Sequence, residues 1–344
     1  MPASSSDPYL PLVSAVIPTR GRPQLLLWAI RSALRQTWSN LEVIVVVDGP
    51  DRETAAAVET IVDRRVRLIL LPESCGGSEA RNAGVRIARG EWIAFLDDDD
   101  EWLPEKIECQ MRAAHAMPDW FPVISCRLIA QSPSTSRILP PQPYQSQQPL
   151  ADFLFCRTSL RDPGGVMQTS TLLAPRDLLL AVPFRKNLPL HQDWDWLIRV
   201  ASYKGVALSM IREPLAIWRV DDRRTTVGRD PSWKTSLAWI RGLRTFISPR
   251  AFSWFVAIQC VWRAKQSRAG WRARLTLLHA FLLEGQPELR SLFSFLIFAC
   301  VPARIRQSLR KGLHHNRQPH DAAPGLCLVF SRKSSTPVLR RSSS

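Results

Sequence analysis

The segment Trp92-Ile93-Ala94-Phe95-Leu96-Asp97-Asp98-Asp99-Asp100 sets an apolar run directly before four consecutive carboxylates. The run predicts a buried strand, and its carboxyl end is the edge where open α/β sheets bind ligands. Adjacent carboxylates repel one another, so such a cluster persists where a cation or several donors offset the charge. Oxygen ligands on a strand-end loop suit Mg²⁺ or Mn²⁺. The segment therefore predicts a divalent-metal site, and the alternative is a solvated acidic turn.

Strands and helices alternate around this segment. Continuous apolar runs are typical of strands covered on both faces, and the stretches between them repeat apolar residues at helical spacing. The predicted strands are 13–17, 41–47, 66–70 and 92–96, and the predicted helices are 23–36, 52–62 and 78–88. This order implies right-handed crossovers. The sequence thus predicts an α/β fold with a mainly parallel central sheet flanked by helices.

The positive charge of the chain is confined to its C-terminal third. Residues 1–228 contain 26 basic and 26 acidic side chains, whereas the rest contain 20 basic and 4 acidic ones. A neutral body with a basic appendage indicates a catalytic domain and a region that binds anionic lipid rather than nucleic acid. We therefore expect a disordered N-terminus (1–11), a catalytic domain (12–228), a basic amphipathic helical extension (229–312) and a disordered tail (313–344).

The cysteines and the N-terminus favour a reducing compartment. The seven cysteines are scattered and form no CxxC pair, which is typical of reduced thiols. Residues 1–11 are polar and rich in Ser and Pro, without the basic-then-apolar order of a secretory signal. We expect a cytoplasmic protein that is peripheral on the inner face of the membrane if its basic region binds lipid.

Five motifs, in order, resemble those of the family 2 glycosyltransferases. They are SAVIPTR (14–20), QTW (36–38) leading into EVIVVVDG (42–49), ARNAG (80–84), ARGEWIAFLDDDD (88–100) and QDWDWLIR (192–199). The resemblance implies a GT-A fold, which is Rossmann-like, followed here by a C-terminal helical extension. It also implies an inverting enzyme that moves a sugar from a nucleotide-sugar, with UDP the expected nucleotide, to an acceptor hydroxyl. The setting would be polysaccharide, cell-envelope or lipid-linked glycan synthesis.

The resemblance assigns nucleotide-binding roles to residues that follow the first strands. Pro18, Thr19 and Arg20 fall where the family holds the base and ribose, with Arg20 in place of a frequent aromatic residue. Asp48 falls where a carboxylate accepts the N3 proton of uracil, although a plain turn former would look the same. Arg81 falls near the base and the acidic run, and an ordinary surface arginine on a helix is the alternative.

Within the acidic run, Asp97, Asp98 and Asp99 meet the DxD pattern of the family. The resemblance implies that Asp99 binds the metal, with Asp97 as second ligand, and that Asp97 or Asp98 also lies toward the ribose. Mn²⁺ or Mg²⁺ would bridge the two phosphates and stabilise the charge on the departing nucleoside diphosphate. We therefore expect a metal-dependent enzyme.

The second constellation is QDWDW (192–196). The family reads Glu-Asp or Asp-Asp at its start, and the second carboxylate is the general base, so the resemblance makes Asp193 the catalytic residue. Gln192 departs from that pattern and removes a negative charge. Asp195 shares a side with Asp193 on a strand but lies about 200° away on a helix. Candidates for the acceptor or phosphate side are Gln192, Trp194, Asp195 and Arg219.

From about residue 232 the chain becomes rich in Trp, Leu, Phe and Arg. Apolar clusters at 252–262, 271–283 and 292–301 alternate with Arg-rich turns, and none reaches the roughly 20 apolar residues of a membrane-spanning helix. Two interpretations stay open. Either the helices lie in the plane of an anionic membrane surface, where lipid-linked acceptors reside, or they pack on the catalytic domain with solvated arginines.

Other functions share parts of this pattern. A nucleotidyltransferase would use the same sheet and paired carboxylates, but it usually needs a glycine-rich phosphate loop, which Arg20-Gly21-Arg22 only faintly suggests. A non-enzymatic binder would use the basic third for nucleic acid or membrane. A degenerate family member, suggested by Gln192, would bind the donor without transferring it and act at a membrane surface. The transferase is favoured because all five motifs occur together.

Overall fold

The computed structural model describes residues 10–117, 120–159, 162–220 and 232–300. Three predictions lie wholly or mostly outside these ranges. They are the disorder of the N-terminus, of which only residues 10 and 11 are described, the part of the helical extension after residue 300, and the disorder of the tail at 313–344.

Nine strands form one mixed sheet. They are β1 (Val13–Thr19), β2 (Leu41–Val47), β3 (Val66–Leu70), β4 (Trp92–Phe95), β5 (Glu101–Trp102), β6 (Phe121–Gln131), β7 (Ser136–Leu139), β8 (Leu173–Pro175) and β9 (Val206–Arg219). Their order is β3-β2-β1-β4-β8-β6-β9-β5, with β7 paired to β6. The first four strands are parallel, as the sequence predicts. The second half is mixed because β8 enters antiparallel to both β4 and β6.

Twelve α-helices among the described residues flank or follow this sheet. They are α1 (Pro23–Leu34), α2 (Arg52–Glu59), α3 (Gly77–Ile87), α4 (Lys106–His115), α5 (Leu150–Phe155), α6 (Arg176–Ala181), α7 (Gln192–Ala201), α8 (Trp233–Gly242), α9 (Pro249–Phe255), α10 (Val261–Gln266), α11 (Trp271–His279) and α12 (Leu289–Cys300). A π-helical turn, Val256–Cys260, joins α9 to α10, and a second one, Ala280–Glu284, extends α11.

β1 runs two residues past its predicted end at Ile17, through Pro18 to Thr19. Val13 donates its N–H toward the β2 side, to the carbonyl of Asn40, so the alternation of a strand turns the nitrogen of Pro18 toward the β4 side. The pairing of β4 with β1 ends at Phe95, opposite Val16. A proline without an N–H therefore costs no ladder hydrogen bond there, and the strand continues to Thr19.

The helices after Trp233 pack on the same core as the sheet. The ring of Phe155 on α5 lies 5.4 Å from that of Trp194 on α7 and 5.1 Å from that of Phe255 on α9. The hydroxyl of Ser248, at the start of α9, donates to Asp152 on α5. All the described residues fall within one compact unit. From residue 232 to Cys300, the extension predicted from the sequence is therefore part of the folded body.

Helix α3 lies so close to β1 that Gly84 has no room for a side chain. A Cβ at Gly84 would lie 2.4 Å from Cγ1 of Val16 and 3.3 Å from Cγ2 of Val46. Both contacts are shorter than ordinary van der Waals distances in a close-packed interior. The last residue of the ARNAG motif is thus required by the packing of α3 on the sheet.

Gly84→Ala should lower the free energy of unfolding by about 1–3 kcal/mol, because the new methyl group overlaps Val16 in the core. Gly242→Ala is the matched control, since a Cβ there meets nothing within 4 Å and alanine in a helix is worth up to about 1 kcal/mol more than glycine. Urea unfolding of both variants measures the difference, and equal stabilities would contradict this packing.

Candidate active site

A pocket of about 900 Å³ opens at the carboxyl ends of β1, β2 and β4. Parallel strands bring the residues that follow them to one edge, so Thr19, Asp48 and Asp97 meet although they are far apart in sequence. The volume is within the range of small-molecule sites. The predicted site residues that line it are Pro18, Thr19, Arg20, Asp48, Arg81, Asp97, Asp98, Asp99, Gln192, Asp193 and Trp194.

Asp97 is held by donors from two other parts of the chain. Nη2 of Arg81, on α3, donates to Oδ1 at 2.5 Å, and Oγ1 of Thr169 donates to Oδ2 at 3.1 Å. The backbone N–H of Asp97 donates to Oγ of Ser170 at 3.0 Å. The side chain of Asp97 is still 30% exposed. Its carboxylate is therefore fixed in position and accessible to a ligand.

Arg22 bridges the next two carboxylates. Its Nη1 lies 3.1 Å from Oδ1 of Asp98 and 3.1 Å from Oδ2 of Asp99, while Oγ1 of Thr19 donates to Asp98 at 2.7 Å. Burial raises the pKa of Asp98 to about 6, although Thr19 and Arg22 oppose the change. The carboxylates of Asp98 and Asp99 thus already bind one cation, the guanidinium of Arg22.

Asp100, the last member of the run, turns away from the pocket. Oγ of Ser170 donates to it at 2.6 Å and Nε2 of Gln168 at 3.2 Å. Burial raises its pKa well above the usual range, and the nearby Asp97 and Asp99 add to the effect. Only the first three carboxylates of the run are therefore presented to a ligand in the pocket.

Asp48 anchors a neighbouring loop. Its Oδ1 accepts from the N–H of Cys75 at 2.6 Å, and its Oδ2 accepts from Oγ of Ser74 at 2.9 Å and from the N–H of Gly76 at 3.0 Å. Gly49 has φ +95°, and a Cβ there would lie 2.9 Å from the nitrogen of Ser74, so glycine is needed for this approach. A uracil N3–H would have to share a carboxylate that already has three donors.

Arg81 joins the acidic run to the second constellation. Its Nη1 donates to Oε1 of Gln192 at 3.0 Å while its Nη2 holds Asp97. Nε2 of Gln192 donates to the carbonyl of Leu188 at 2.8 Å. Arg81 is only 8% exposed, so the alternative of an ordinary surface arginine is wrong. Because Gln192 is neutral, the positive charge of Arg81 is balanced by Asp97 alone in this contact.

Asp193 lies in the first turn of α7 and borders the pocket. The N–H of Trp194 donates to its Oδ1 at 2.9 Å, and the backbone N–H of Asp193 itself also donates to the carboxylate. Burial raises the pKa of Asp193 to about 6, opposed by the N–H of Trp194 and the charge of Arg81. A carboxylate with such a pKa can accept the proton of a bound hydroxyl at neutral pH.

Asp195 lies in the core, which corrects the prediction that it serves the acceptor or phosphate side. Its carboxylate is fully buried. It accepts from Nε of Arg199 at 2.8 Å and from Nε1 of Trp239 at 3.1 Å, and Nη1 of Arg185 lies 3.1 Å away. The helical geometry of α7 points it about 200° away from Asp193. Asp195 therefore connects α7 to α8.

Comparisons with known proteins agree with this geometry. The family model described as Glycosyl transferase family 2 matches residues 14–148, which contain β1 to β4 and the acidic run. Residues 14–148 of the chain are therefore similar to this family. The predicted α/β fold of GT-A type is also confirmed, as a mixed sheet with flanking helices and a helical C-terminal part.

The relatives of this chain include proteins of bacterial glycan synthesis. Amylovoran biosynthesis glycosyltransferase AmsB of Erwinia amylovora is 27% identical, over 79% of this chain and 91% of AmsB. Succinoglycan biosynthesis protein ExoO of Rhizobium meliloti is 41% identical, over 31% of each chain. The UDP-Glc:alpha-D-GlcNAc-diphosphoundecaprenol beta-1,3-glucosyltransferase WfgD of Escherichia coli is 35% identical, over 30% of this chain and 41% of WfgD. The chain thus spans most of AmsB but less than half of the other two.

Two solved structures share the fold of the transferase. TarS of S. aureus has a TM-score of 0.50 at 16% identity, over 88% of this chain and 52% of TarS. The mannosyltransferase PcManGT of Pyrobaculum calidifontis, solved with GDP-Man and Mn²⁺, has a TM-score of 0.50 at 18% identity, over 90% of this chain and 81% of PcManGT. At these identities the likeness concerns the fold alone.

Arg219 lies outside the pocket of the transferase, which corrects its predicted role on the phosphate side. It pairs with Glu101 on β5, and its guanidinium lies 5.0 Å from the centre of the Trp28 ring. Side chains alternate along a strand, so the preceding residue, Trp218, borders the pocket instead.

The transferase pocket also contains residues that no motif marks. His191 stacks on Trp194 at 5.2 Å, and its Nε2 lies 3.0 Å from Oγ of Ser236. Burial lowers the pKa of His191 to about 3, and the charge of Arg263 adds to the effect, so the ring is neutral. Arg263 borders the pocket from α10. Arg22 also lines the pocket, and of these basic residues it alone lies in a stretch that the sequence analysis considers, Arg20-Gly21-Arg22.

Asp193→Asn and Asp195→Asn should change stability in opposite directions. Because the pKa of Asp193 is raised to about 6, its charge destabilises the folded state above that pH and has no effect below about pH 4, where the unfolded carboxyl is also protonated. Asp193→Asn should therefore raise the free energy of unfolding by about 1–3 kcal/mol near neutral pH and by nothing near pH 3.

Asp195→Asn should lower the free energy of unfolding by about 2–4 kcal/mol, because Arg199 loses its buried counter-charge. Chemical denaturation of both variants near neutral pH and near pH 3 measures these changes. If Asp193→Asn lowered the free energy of unfolding at neutral pH, this would contradict the conclusion that burial makes the charged form of Asp193 unfavourable.

Proposed function

We propose that this enzyme transfers a sugar from a UDP-sugar, with inversion, to a hydroxyl of a polysaccharide or lipid-linked glycan of the cell envelope. The observation that carries the proposal is the convergence of Asp193 with the carboxylates of 97–99 on one pocket, joined by Arg81. The names of the relatives support the setting: AmsB and ExoO act in amylovoran and succinoglycan biosynthesis, and WfgD uses UDP-Glc and a diphosphoundecaprenol-linked acceptor.

The donor end of the pocket suits a divalent cation completed by the diphosphate of the substrate. No group of three or more His, Cys, Asp or Glu side chains among the described residues forms a complete metal site. Mg²⁺ in nucleotide enzymes is commonly held by one or two carboxylates and the substrate phosphates, and the acidic run already attracts Arg22. We assign Asp99 as ligand with Asp97 as second ligand. The ion would neutralise charge on the departing UDP.

Asp193 is the proposed general base. An inverting transfer needs a base on the face of the sugar opposite the leaving phosphate, and Asp193 is carried by α7 rather than by the strand-end loop of the acidic run. With a pKa near 6, the carboxylate is ionised at neutral pH and can take the proton of the acceptor hydroxyl. The hydrogen bonds of Arg81 to Gln192 and to Asp97 hold α7 against the acidic run. They would keep the distance between the bound donor and Asp193 constant.

A thermal-unfolding panel of nucleoside diphosphates, with and without Mn²⁺, tests the donor. UDP should raise the melting temperature of the protein, and only when the ion is present, because a ligand that binds the folded state alone stabilises it. Asp99→Asn should lose the Mn²⁺-dependent part of the shift. Asp193→Asn should keep the shift and lose sugar transfer from UDP-sugar. Stabilisation by GDP instead would contradict the UDP assignment, and no response to any nucleotide would contradict the proposed function.

Arg22 and the metal compete for Asp99 in this proposal. The guanidinium bridging Asp98 and Asp99 has to move when a divalent ion binds, and its partly exposed side chain leaves room for that movement. Like charges a few ångströms apart repel by several kT even at an effective dielectric constant of about 20. Without metal, the guanidinium of Arg22 thus neutralises part of the negative charge of the proposed metal site.

Arg22→Gln should bind Mn²⁺ about tenfold more tightly than the wild type in titration calorimetry without nucleotide, since the competing positive charge is gone. Arg86→Gln is the charge-matched control, because Arg86 pairs with Glu79 on α3 and does not line the pocket. Its Mn²⁺ affinity should equal that of the wild type. Weaker binding by Arg22→Gln would show that Arg22 organises the metal site instead of competing for it.

A further inference from the structure

The C-terminal helices have two distinct sides. The continuous helix from Pro249 to Gln266 is almost wholly buried, with Phe252, Trp254 and Phe255 each about 1% exposed. This is the first of the three predicted amphipathic segments, and it is a core helix. Helices α11 and α12 pack on it through small or apolar residues such as Leu277 and Phe295. Their opposite sides face solvent.

These solvent sides are unusually apolar. On α11 and its π-helical extension, the exposed side chains include Trp271, Leu275, Leu282 and Leu283. On α12 they include Leu289, Phe293 and Leu296, which recur at positions i, i+4 and i+7 and so form one stripe. Leu283 is 73% exposed and Leu289 is 79% exposed. We call these seven residues the leucine face.

The two stripes of the leucine face belong to neighbouring helices. The rings of Phe281 and Phe295 stack with their centroids 4.8 Å apart, which joins the end of the α11 segment to the middle of α12. Leu282 and Leu296 are the next residues in sequence. Monomeric soluble proteins rarely expose large contiguous apolar patches, and those that do commonly use them for binding.

The surroundings of the leucine face are strongly basic. Residues 232–300 contain ten Lys and Arg and only two acidic residues, Glu284 and Glu288. Both carboxylates are already paired, Glu284 with Arg241 and Glu288 with Arg250. Arg272 and Arg274 lie on α11 itself and are exposed, and Arg268 precedes that helix. The face therefore combines apolar side chains with uncompensated positive charge.

We propose that the leucine face docks on an anionic lipid bilayer, with α11 and α12 lying in the interface. Apolar side chains flanked by arginines are the pattern of helices that insert shallowly among negatively charged headgroups. None of the described helices has the length and hydropathy needed to cross a bilayer. The inference concerns a surface remote from the acidic run and does not depend on the transfer reaction.

Charge argues against the other occupants of this face. A second copy of the chain would bring one basic surface against another, which is unfavourable. The 44 residues after Cys300 contain nine basic side chains and one acidic one, so this segment has the wrong charge to cover the face. An anionic lipid surface complements both the apolar and the basic components.

Docking would also orient the pocket. Helix α10, on which α11 and α12 pack, carries Arg263 to the wall of the pocket. The distance from the leucine face to the pocket is therefore set by packed helices rather than by a flexible linker. A bilayer-bound protein would hold this pocket at a defined height above the headgroups.

Vesicle flotation of the full chain tests the proposal. The wild type should float with vesicles that contain phosphatidylglycerol, should not float with pure phosphatidylcholine, and should be released by rising salt. Leu283→Glu/Phe293→Glu should lower vesicle affinity at least about tenfold, because two buried contacts with the acyl region become charges. Arg272→Gln/Arg274→Gln should lower affinity for the anionic vesicles only.

Val62→Glu/Leu180→Glu is the matched control, since it places the same charges at two exposed apolar positions outside the leucine face. It should bind vesicles like the wild type, and thermal unfolding of all three variants should match the wild type because the altered side chains are exposed. Wild-type binding by Leu283→Glu/Phe293→Glu would overturn the proposal and assign lipid binding to the basic tail. If the wild type did not bind vesicles but formed a dimer that Leu283→Glu/Phe293→Glu converted to a monomer, the leucine face would be a dimer interface, which would also overturn the proposal.

Discussion

Repulsion among the carboxylates of 97–100 is the constraint on which the arrangement of the site depends. The carboxylates need donors, and these come from separate places: Thr19 at the end of β1, Arg22 at the start of α1, Arg81 on α3 and Ser170 before β8. These contacts connect the parallel half of the sheet to its mixed half. The charge that makes the edge chemically useful therefore also holds together the elements that surround it.

The two aspartates at the start of α7 show how environment divides one sequence pattern into two roles. Asp195 faces inward and its charge is balanced by Arg199, so it stabilises the junction of α7 with α8. Asp193 faces the pocket, where burial without a full set of donors leaves it with a raised pKa. In the proposed function, the general base is thus the carboxylate that the fold compensates least, which is a common feature of catalytic groups.

Much of the fold follows from local pattern. The runs at 41–47 and 92–96 form strands because every position there is apolar or covered, and the edge at which Asp97 to Asp99 collect follows from parallel topology. Arg219 and Asp195 were misassigned because periodicity on its own does not tell which face of β9 or α7 is turned to the pocket. His191 and Arg263 were missed because they approach from an irregular loop and a distant helix, and such long-range proximity has no periodic signature.

The hydrogen bond from Trp239 to Asp195 and the edge-to-face contact of Phe155 with Phe255 have a consequence for how such enzymes diverge. The segment that matches the family model, 14–148, carries the acidic run, and these contacts join α5 and α7, which follow it in the chain, to α8 and α9. An exchange of the C-terminal helices between related chains would remove the Trp239 hydrogen bond from the buried Asp195 unless both sides of this contact changed together. Changes of acceptor preference in this architecture should therefore come with paired substitutions, one in α5 or α7 and one in α8 or α9. Chimaeras of related chains should fold with few crossover points between β8 and α12.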